Sequence, residues 1–507
     1  SEELATPGLA FTFVERIDDV TDKVFAKIKS GEIKEEESFG QPFLRQLAKA
    51  ELEASDLKGK PGIRTQALPF FAGNKYYCIY LKTYQDVRMV AAPPSSIGKF
   101  GGETDNWMWP RHTCDFSVFR VYAGKDNRPA EYSTDNVPYK AEKWLDISLD
   151  GIEEGDFGMI MGFPGSTERY KTSYEIDYML EVDNPQRIYI RGERQKILRK
   201  AMDENQAIRI KYDSKYAQSA NYWKNSIGMS RGIEKLGVKA KKQAQEAEFQ
   251  AWAEANTLPE EGYIDALRLI AESQTEAKEQ NATLQYLYEA FIQSIELVQT
   301  MLGVEDYEQF YKDYDADVDR AVAKRMFQIY KENNTIMPSI YQKISEEFDG
   351  DSDKYVDWLY DNSNFTSFEK FQTVANAENR DELFAQDPAL ELAGSIIPLF
   401  RAMYEQVAPA EQKFTEGHRK YIDGLMKMNP KKAWASDANF TIRLTYGNVL
   451  PYSPADGVIY KHYTTLEGVM AKEDPSNPVE FTVPERLKEL YNNKNYGRYA
   501  DKNGDMP

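Results

Sequence analysis

Cysteine and long apolar runs are scarce in this sequence of 507 residues. No run of about 18 consecutive apolar residues occurs, so no membrane-spanning helix is expected. Only two cysteines are present, Cys78 and Cys114, which are too few for a disulfide framework or a structural zinc site. We expect two ordinary thiols and no metal site, and a single bridge between them in an oxidising compartment stays open as an alternative.

Positive charge is also in short supply, because 63 Lys and Arg residues stand against 82 Asp and Glu residues. The formal charge of -19 repels a phosphate backbone and an anionic lipid surface, so neither nucleic acid nor a membrane is expected as a partner. The first residues, Ser1-Glu2-Glu3-Leu4, have neither the basic nor the apolar region of a signal peptide. The protein is therefore expected to be cytosolic or to have lost its leader.

Material for hydrophobic cores is plentiful. Apolar residues make up 41% of the sequence and aromatic residues 13%, which is unlike the composition of disordered chains. A chain of 507 residues is too long for one hydrophobic core of ordinary size. Since a domain has about 150 residues on average, we expect roughly two to four domains. We expect a folded chain with order nearly throughout.

Strand and turn signals dominate the beginning of the chain. Short runs that alternate, or that are rich in aromatic and β-branched residues, predict strands over residues 9–14, 76–81, 116–122 and 157–161. Residues 18–54 interrupt them with helix-like, charged sequence. The sum is typical of part of a β-barrel rather than of an α/β sheet.

The middle of the chain has a different character. Long, charged, helix-favouring stretches follow Thr167 and run to about residue 430, and strand signals return at residues 440–446. This order predicts an α+β fold, with a β-barrel portion over residues 1–166 and 436–507 and an all-α domain inserted over residues 167–435. The two β portions should then pack together.

One helical stretch is especially clear, over residues 283–302. Its apolar residues recur at steps of three and four, and they are Leu284, Leu287, Phe291, Ile295, Val298 and Leu302. The spacing predicts one helix with one buried face.

Chemistry that depends on histidine has three candidates, His112, His418 and His462. His418 lies in a charged helical stretch and is interpreted as a surface residue, while His462 lies among tyrosines without a recognisable partner. His112 comes three residues before Asp115, but positions three apart in extended chain point to opposite faces, so no dyad is expected. No strand-to-helix nucleophile elbow, phosphate loop or zinc-binding helix motif is recognised. The residue types and their spacing alone therefore do not identify a complete active site.

Residues 97–122 form the most distinctive stretch of the sequence. Trp107, Trp109 and Pro110 lie there among polar side chains, and because indoles are large and proline restrains the backbone, such a stretch builds a rigid, shaped surface. The alternative is a structural corner of packed aromatic residues. The residue types alone favour neither interpretation. The double glycine at 101–102 is interpreted as a turn rather than a ligand loop.

The same stretch closely resembles the motif of the bacterial dipeptidyl peptidases 7 and 11, a family of serine exopeptidases. Residues 91–98, 156–165 and 221–229 continue the resemblance, which covers the whole chain in the order of its elements. The block from about residue 260 to 428 matches only in helical character. The resemblance implies a chymotrypsin-like double β-barrel with a large inserted all-α helical domain, and the barrel portion of this chain is expected to be incomplete.

The resemblance also assigns roles to particular residues. Asp115 matches the aspartate of the catalytic triad, and Asn106, Trp107 and Asn221 match residues that hold the free α-amine of the substrate. The family's catalytic histidine and serine match positions before the first and after the last residue of this sequence. The chain is therefore expected to be an internal piece of a longer protein and inactive by itself. Cys114 departs from the family pattern, which has glycine there.

The function that the resemblance implies is that of a serine dipeptidyl aminopeptidase, which needs no cofactor and releases dipeptides from the free N-terminus of oligopeptides. It further implies a homodimer of the full-length protein and a periplasmic or cell-surface location in a Gram-negative bacterium. In the family, a position beyond the serine sets the preference for the residue before the cut, so this sequence does not determine it. A non-catalytic peptide-binding or scaffold protein with the same barrel and helical cap is the alternative.

Overall fold

The structure, a computed structural model, describes residues 3–507 and divides into two compact units. The first unit consists of Ser1–Tyr170 and Asn429–Pro507 and holds the strands. The second unit, Lys171–Met428, is built from helices. Because the second unit is one continuous segment between the two parts of the first, it has the connectivity of an inserted domain.

The strands pair antiparallel in four small sheets. Those described in residues 3–507 are β1 (Leu4–Ala5), β2 (Phe11–Asp19), β3 (Ile63–Phe70), β4 (Lys75–Tyr84), β5 (Asp86–Ala91), β6 (Val118–Ala123), β7 (Val137–Pro138), β8 (Phe157–Gly162), β9 (Arg443–Asn448), β10 (Tyr452–Ala455) and β11 (Val458–Tyr460). The sheet orders are β1-β5-β6-β7, β2-β4-β3, β8-β9 and β10-β11. Each of the five segments predicted to be a strand overlaps one of β2, β4, β6, β8 and β9.

α-Helices make up most of the remaining regular structure in residues 3–507. They are α1 (Thr21–Lys29), α2 (Gln41–Glu53), α3 (Ser95–Gly98), α4 (Ser173–Tyr178), α5 (Asn184–Glu204), α6 (Gln206–Lys235), α7 (Val238–Asn256), α8 (Ala266–Glu276), α9 (Lys278–Tyr286), α10 (Glu296–Leu302), α11 (Tyr307–Lys312), α12 (Ala316–Asn333), α13 (Ile340–Glu347), α14 (Ser352–Asn362), α15 (Phe368–Ala375), α16 (Arg380–Ala385), α17 (Pro388–Met428), α18 (Leu466–Ala471), α19 (Pro478–Phe481) and α20 (Glu485–Asn492). Helices α1 and α2 confirm the helical prediction for residues 18–54.

A small core of the first unit forms where α1 and α2 pack on one face of the three-stranded sheet. Tyr76, Cys78 and Tyr80 alternate along β4, so their side chains point to the same face, where they are buried. Val24 of α1 and Leu44 of α2 belong to the same cluster. The two helices and the sheet therefore bury each other's apolar faces.

The ribbon β8-β9 joins the two parts of the first unit. Its register starts at the pair Phe157–Asn448, so segments on either side of the helical insertion lie side by side. The ribbon is strongly exposed, with Ile160 at 72% and Tyr446 at 70% exposure. It presents apolar side chains to water, which is unusual for a sheet.

The second unit has one large core, but its helix over residues 283–302 is interrupted. A π-helical turn, Leu287–Ile292, follows α9, and α10 starts only at Glu296. The buried face is confirmed at Phe291 and Val298, whereas Leu302 is 50% exposed. The prediction of one uninterrupted helix is wrong.

The interruption has a physical cause in a neighbouring helix. The buried carboxylate of Asp319, on α12, accepts the backbone N–H groups of Glu296 at 2.8 Å and of Leu297 at 2.9 Å. These N–H groups open α10 and have no partner within their own helix, so a carboxylate beside them stabilises a new helix start.

The mixture of helices with small sheets confirms the predicted mixed composition of the fold. None of the helices in residues 3–507 combines the length and the apolar composition that crossing a bilayer requires. Those residues also contain no group of three or more His, Cys, Asp or Glu side chains placed to hold a metal ion.

Candidate active site

The distinctive stretch forms a closed loop between β5 and β6. Pro94 precedes the short helix α3, and the backbone then turns at Gly101 and Gly102, with φ of 85° and 43°. The N–H of Cys114 donates to the carbonyl oxygen of Ile97 at 3.2 Å, which closes the loop. The turn predicted for the double glycine is confirmed.

This loop lines a cavity of about 440 Å³. The lining residues are Ala92, Pro93, Ser95, Gly98, Lys99, Gly102, Glu103, Asn106, Arg111, Thr113, Asp115, Phe116 and Ser117. Asn106 and Asp115, two of the residues that the family resemblance singles out, therefore border the same space.

The cavity carries charges of both signs. Lys99 and Arg111 supply the cations, and Glu103 and Asp115 supply the anions. Because neither sign dominates, the cavity suits a ligand that carries a positive group together with polar or negative ones, as the amino end of a peptide does.

The amide of Asn106 is oriented by Glu103. Its Nδ2 donates to Oε2 of Glu103 at 3.1 Å. Because a carboxylate only accepts hydrogen bonds, this contact fixes which end of the amide is the nitrogen, and the carbonyl oxygen takes the opposite end. An amide oxygen held in one orientation is a suitable acceptor for an ammonium group, which has donors only.

Trp107 has an uncommon backbone conformation. Its φ is 61°, in the left-handed region, and its side chain is 57% exposed. A bulky residue in this region costs about 1 to 3 kcal/mol and persists only where the surroundings impose it. The strain indicates a backbone that its surroundings hold in place, as both a shaped binding surface and a structural aromatic corner require.

Asp115 lies just before β6, which begins at Val118 and not at residue 116 as the sequence predicts. Pairing of β5 with β6 ends at Ala91, because prolines at 93 and 94 cannot donate to a ladder. The carboxylate of Asp115 is exposed and forms no hydrogen bond or ion pair with residues 3–507. Its oxygens are therefore available to a partner that enters the cavity.

His112 is not bonded to Asp115 in the described part of the chain. Its Nδ1 is buried without a hydrogen-bond partner, and its ring lies so close to Gly468 that an added Cβ would overlap it. Burial lowers the pKa of His112 and nearby Lys472 lowers it further, against the raising effect of Asp105. The absence of a hydrogen bond between His112 and Asp115 agrees with the prediction that the two residues form no dyad.

The other residues singled out from the sequence lie on other elements of the chain. Asn221 is on α6 of the second unit, where it is exposed. His418 stacks on Phe414 with ring centroids 5.0 Å apart, and the ring of His462 is 5.0 Å from that of Tyr463.

A Gly-x-Ser-x-Gly run does occur, at residues 228–232, although no nucleophile elbow is recognised from the sequence. It lies inside α6, where the hydroxyl of Ser230 donates to the carbonyl oxygen of Ser226 at 3.0 Å and accepts from Nδ2 of Asn184 at 3.0 Å. A hydroxyl bonded to its own helix, away from any strand-to-helix turn, is not a nucleophile elbow.

Both cysteines are free thiols, so the prediction of two ordinary thiols is confirmed and the alternative of a bridge is wrong. Cys78 is buried in the sheet, and burial raises the pKa of its thiol to about 11. Cys114 is exposed next to Asp115.

Two acidic residues at this site, Glu103 and Glu480, were not predicted from the sequence. Glu103 lines the cavity and orients Asn106. Glu480, 377 residues after Glu103, accepts its backbone N–H at 3.0 Å. The sequence contains no motif that marks Glu480, because its partners come from a distant part of the chain.

Comparison with known proteins gives matches along the whole chain. Dipeptidyl-peptidase 7 of Phocaeicola vulgatus is 51% identical over 542 residues, which cover 100% of this chain and 73% of that protein. The Asp/Glu-specific dipeptidyl-peptidase of Porphyromonas gingivalis is 38% identical and is matched over 100% of this chain and 74% of its own length.

Solved structures give the same result. The crystal structure of Porphyromonas endodontalis DPP11 in complex with the dipeptide Arg-Glu superposes with a TM-score of 0.89 at 36% identity, over 100% of this chain and 76% of that one. The sequence profile of the peptidase S46 family matches residues 1–306 and 303–507. The chain belongs to the peptidase S46 family.

Proposed function

We propose that the protein is a serine dipeptidyl peptidase, which releases dipeptides from the free N-terminus of oligopeptides. This chain supplies the catalytic aspartate, Asp115, and part of the amine-binding site. The observation that carries the proposal is the cavity that Asn106 and Asp115 share, in a chain similar throughout to proteins named dipeptidyl peptidases.

The proposed role of Asp115 follows from its availability. In a triad, the aspartate accepts the N–H of the imidazole, fixes its tautomer and stabilises the imidazolium that forms as the serine attacks. Asp115 lines the cavity and its carboxylate has no partner within residues 3–507, so it can accept the N–H of an imidazole that enters.

The proposed role of Asn106 follows from the geometry of the reaction. Cutting after two residues requires an anchor for the amino end about 7 Å from the scissile bond in extended chain. Asn106 offers an oriented amide, and Glu103 beside it adds a negative charge that attracts an ammonium group. Trp107 and Asn221 are proposed as further partners of the amine, on the family resemblance.

Three finer features are proposed on the same resemblance. The small sheets of the first unit are inferred to belong to a chymotrypsin-like double β-barrel, the full-length protein to be a homodimer, and its location to be periplasmic or at the cell surface. Peptide substrates have additional support, because one relative, Porphyromonas endodontalis DPP11, has been solved in complex with the dipeptides Arg-Glu and Arg-Asp.

Replacing Asp115 by Asn in the full-length protein tests the proposal. Asn keeps the size of the side chain but favours the wrong histidine tautomer, so turnover of dipeptidyl amides should fall by about four orders of magnitude with an unchanged melting temperature. Asp146→Asn, at an exposed position away from the cavity, is the matched control for loss of one charge. A loss below tenfold would contradict the role of Asp115, and no turnover by the unaltered full-length protein would favour the non-catalytic alternative.

The amine-binding role is tested at Asn221. Loss of one hydrogen bond to a charged group costs about 1.5 to 3 kcal/mol, so Asn221→Ala should lower kcat/KM about 10- to 150-fold for substrates with a free amine. Acetylated substrates should be poor with either form. If Asn106 and Asn221 share one ammonium, the double replacement is non-additive, whereas additive losses would show separate roles.

A further inference from the structure

The loop that carries Asn106 is anchored to a buried carboxylate from the far end of the first unit. Glu480, on α19, is 8% exposed. Its Oε1 accepts the backbone N–H of Glu103 at 3.0 Å, and its Oε2 accepts the hydroxyl of Thr104 at 2.7 Å. Its own carbonyl oxygen accepts the N–H of Gly101 at 2.7 Å. One residue thus holds the loop at three points.

The close approach of Glu480 depends on a glycine. A Cβ added to Gly102 would lie 2.6 Å from Cγ of Glu480, and the φ of Gly102 is 43°. A side chain there is excluded by contact and disfavoured by conformation. Asn477 supports the carboxylate from the other side, since its Nδ2 donates to Oε2 at 2.8 Å. A buried carboxylate needs such donors, so the loop and Glu480 fix each other.

Glu103 connects this anchor to the amine-binding amide. Its backbone N–H is held by Glu480, and its side chain holds Nδ2 of Asn106 at 3.1 Å. A shift of the loop at Glu103 therefore changes the orientation of the Asn106 amide. Asp115 lies outside these hydrogen bonds.

A second tie supports the other side of Asn106. Nζ of Lys472 pairs with Oδ2 of Asp105 at 2.7 Å and donates to the carbonyl oxygen of Pro110 at 2.9 Å. Asp105 is 8% exposed. Residues before and after Asn106 are thus held by groups from the segment 472–480.

We propose that Glu480 is a positioning residue for binding of the substrate's free amine, acting through Glu103 on Asn106. The inference rests on the proposed function of Asn106. Glu480 does not touch the substrate. Without its two acceptors the loop relaxes, the orientation of the Asn106 amide changes, and amine binding weakens while the chemical step that uses Asp115 is retained.

Binding of product dipeptides to the full-length protein is the measurement. Inhibition constants are determined for Arg-Glu and Ala-Leu, each with a free and with an acetylated amino end, and the dipeptide that the unaltered protein binds is then used throughout. Glu480→Gln should weaken binding of the free-amine dipeptide about tenfold, because the displaced Asn106 amide then loses its hydrogen bond to the charged ammonium group. KM should rise to a similar extent, with kcat changed less than twofold.

Thr104→Val is the second variant, because this residue is exposed and valine keeps the shape of the side chain but lacks the hydroxyl that donates to Glu480. It should weaken binding in the same direction even if Glu480→Gln does not fold. Asp86→Asn is the control for general destabilisation, since Asp86 is a buried carboxylate of the same unit that is bonded to other residues. It should leave the inhibition constants unchanged.

The decisive comparison is made with Asn106→Ala as background. There, Glu480→Gln and Thr104→Val should have no further effect on free-amine binding, because Glu480 acts through Asn106. Unchanged inhibition constants in the folded single variants, equal losses with and without Asn106, or a loss confined to kcat would each overturn the proposal. Failure of the proposed function is distinct, since the unaltered full-length protein would then release no dipeptide.

Discussion

Cys114 and Cys78 differ in chemistry because their surroundings differ. The thiolate is the reactive form, and burial keeps Cys78 protonated with its pKa near 11, while Cys114 is exposed beside Asp115. We therefore predict that a coloured thiol reagent modifies one cysteine rapidly in the folded chain and two after denaturation. Cys114→Ser should abolish the rapid phase.

The same modification should affect activity in the full-length protein. A bulky group on Cys114 lies next to Asp115, so turnover should fall on labelling, and Cys114→Ser should be resistant. Rapid reaction of both thiols, or labelling that leaves turnover unchanged, would contradict this account of the two side chains.

Asp86 on β5 illustrates how a buried charge is maintained. Arg88 donates to its two carboxylate oxygens at 3.0 and 2.9 Å, and Nδ2 of Asn136 donates at 2.8 Å. Burial raises the pKa of Asp86, but the hydrogen bonds from Arg88 and Asn136 outweigh burial, and the pKa is lowered overall. Such a carboxyl stabilises the fold above its unfolded pKa of about 3.9, and the contribution is lost as pH falls through the lower folded value.

This sign gives a pH-dependent prediction for Asp86→Asn. At pH 7 the change should cost about 2 to 4 kcal/mol of unfolding free energy, because Arg88 is left without its carboxylate. At pH 3 the cost should be smaller, because the carboxyl of the unfolded chain is then largely protonated and folding has to ionise it. Urea unfolding at pH 7 and pH 3 measures the loss of unfolding free energy. Equal losses at the two pH values would contradict a stabilising role for the ionised pair of Asp86 and Arg88.

The break between α9 and α10 shows an element decided by its neighbour. Apolar spacing over residues 283–302 is continuous, yet the helix stops and restarts at Glu296, where Asp319 of α12 accepts two backbone N–H groups. The hydroxyl of Tyr360 donates to the same carboxylate at 2.7 Å. Asp319 thus links three segments of the second unit through one buried group.

Removal of that group should destabilise the second unit. Asp319→Ala leaves two N–H groups and the hydroxyls of Tyr314 and Tyr360 without this acceptor, so we expect a loss of about 3 kcal/mol in unfolding free energy. Asp317→Ala, an exposed position in the first turn of the same helix, is the matched control and should change stability by less than about 1 kcal/mol. Equal losses in the two variants would mean that the effect comes from the helix end and not from the cap of α10.

At the scale of the whole chain, the exposed ribbon β8-β9 is expected to promote association with apolar partners. Phe157, Ile160 and Tyr446 are between 62% and 72% exposed on two paired strands, and such apolar patches mark surfaces that associate. We predict that the 507-residue chain binds an apolar fluorescent dye and that Ile160→Thr lowers the dye signal without lowering the melting temperature. Ile210→Thr, at a 73% exposed position on α6, is the control and should leave the signal unchanged. Equal signals from both variants would place dye binding elsewhere.

Local pattern determined much of this protein. The strands β2, β4, β6, β8 and β9 and the long helical block follow from alternation and from steps of three and four, because a side chain's face depends only on its position within its own element. The motif over residues 97–122 singled out Asn106 and Asp115, and the whole-chain matches confirm the family that it indicated.

Contacts between residues that are distant in the sequence were decided by the tertiary structure alone. The shared cavity of Asn106 and Asp115, the anchoring of their loop by Glu480, and the break before α10 all depend on residues that meet only after folding. Glu103 and Glu480 are 377 positions apart, and one residue's hydrogen bond to a distant backbone N–H leaves no periodic or spaced signal in the sequence. The sequence therefore determined the elements and the family, whereas the buried carboxylates that position the loop and the helix start were decided by three-dimensional contact.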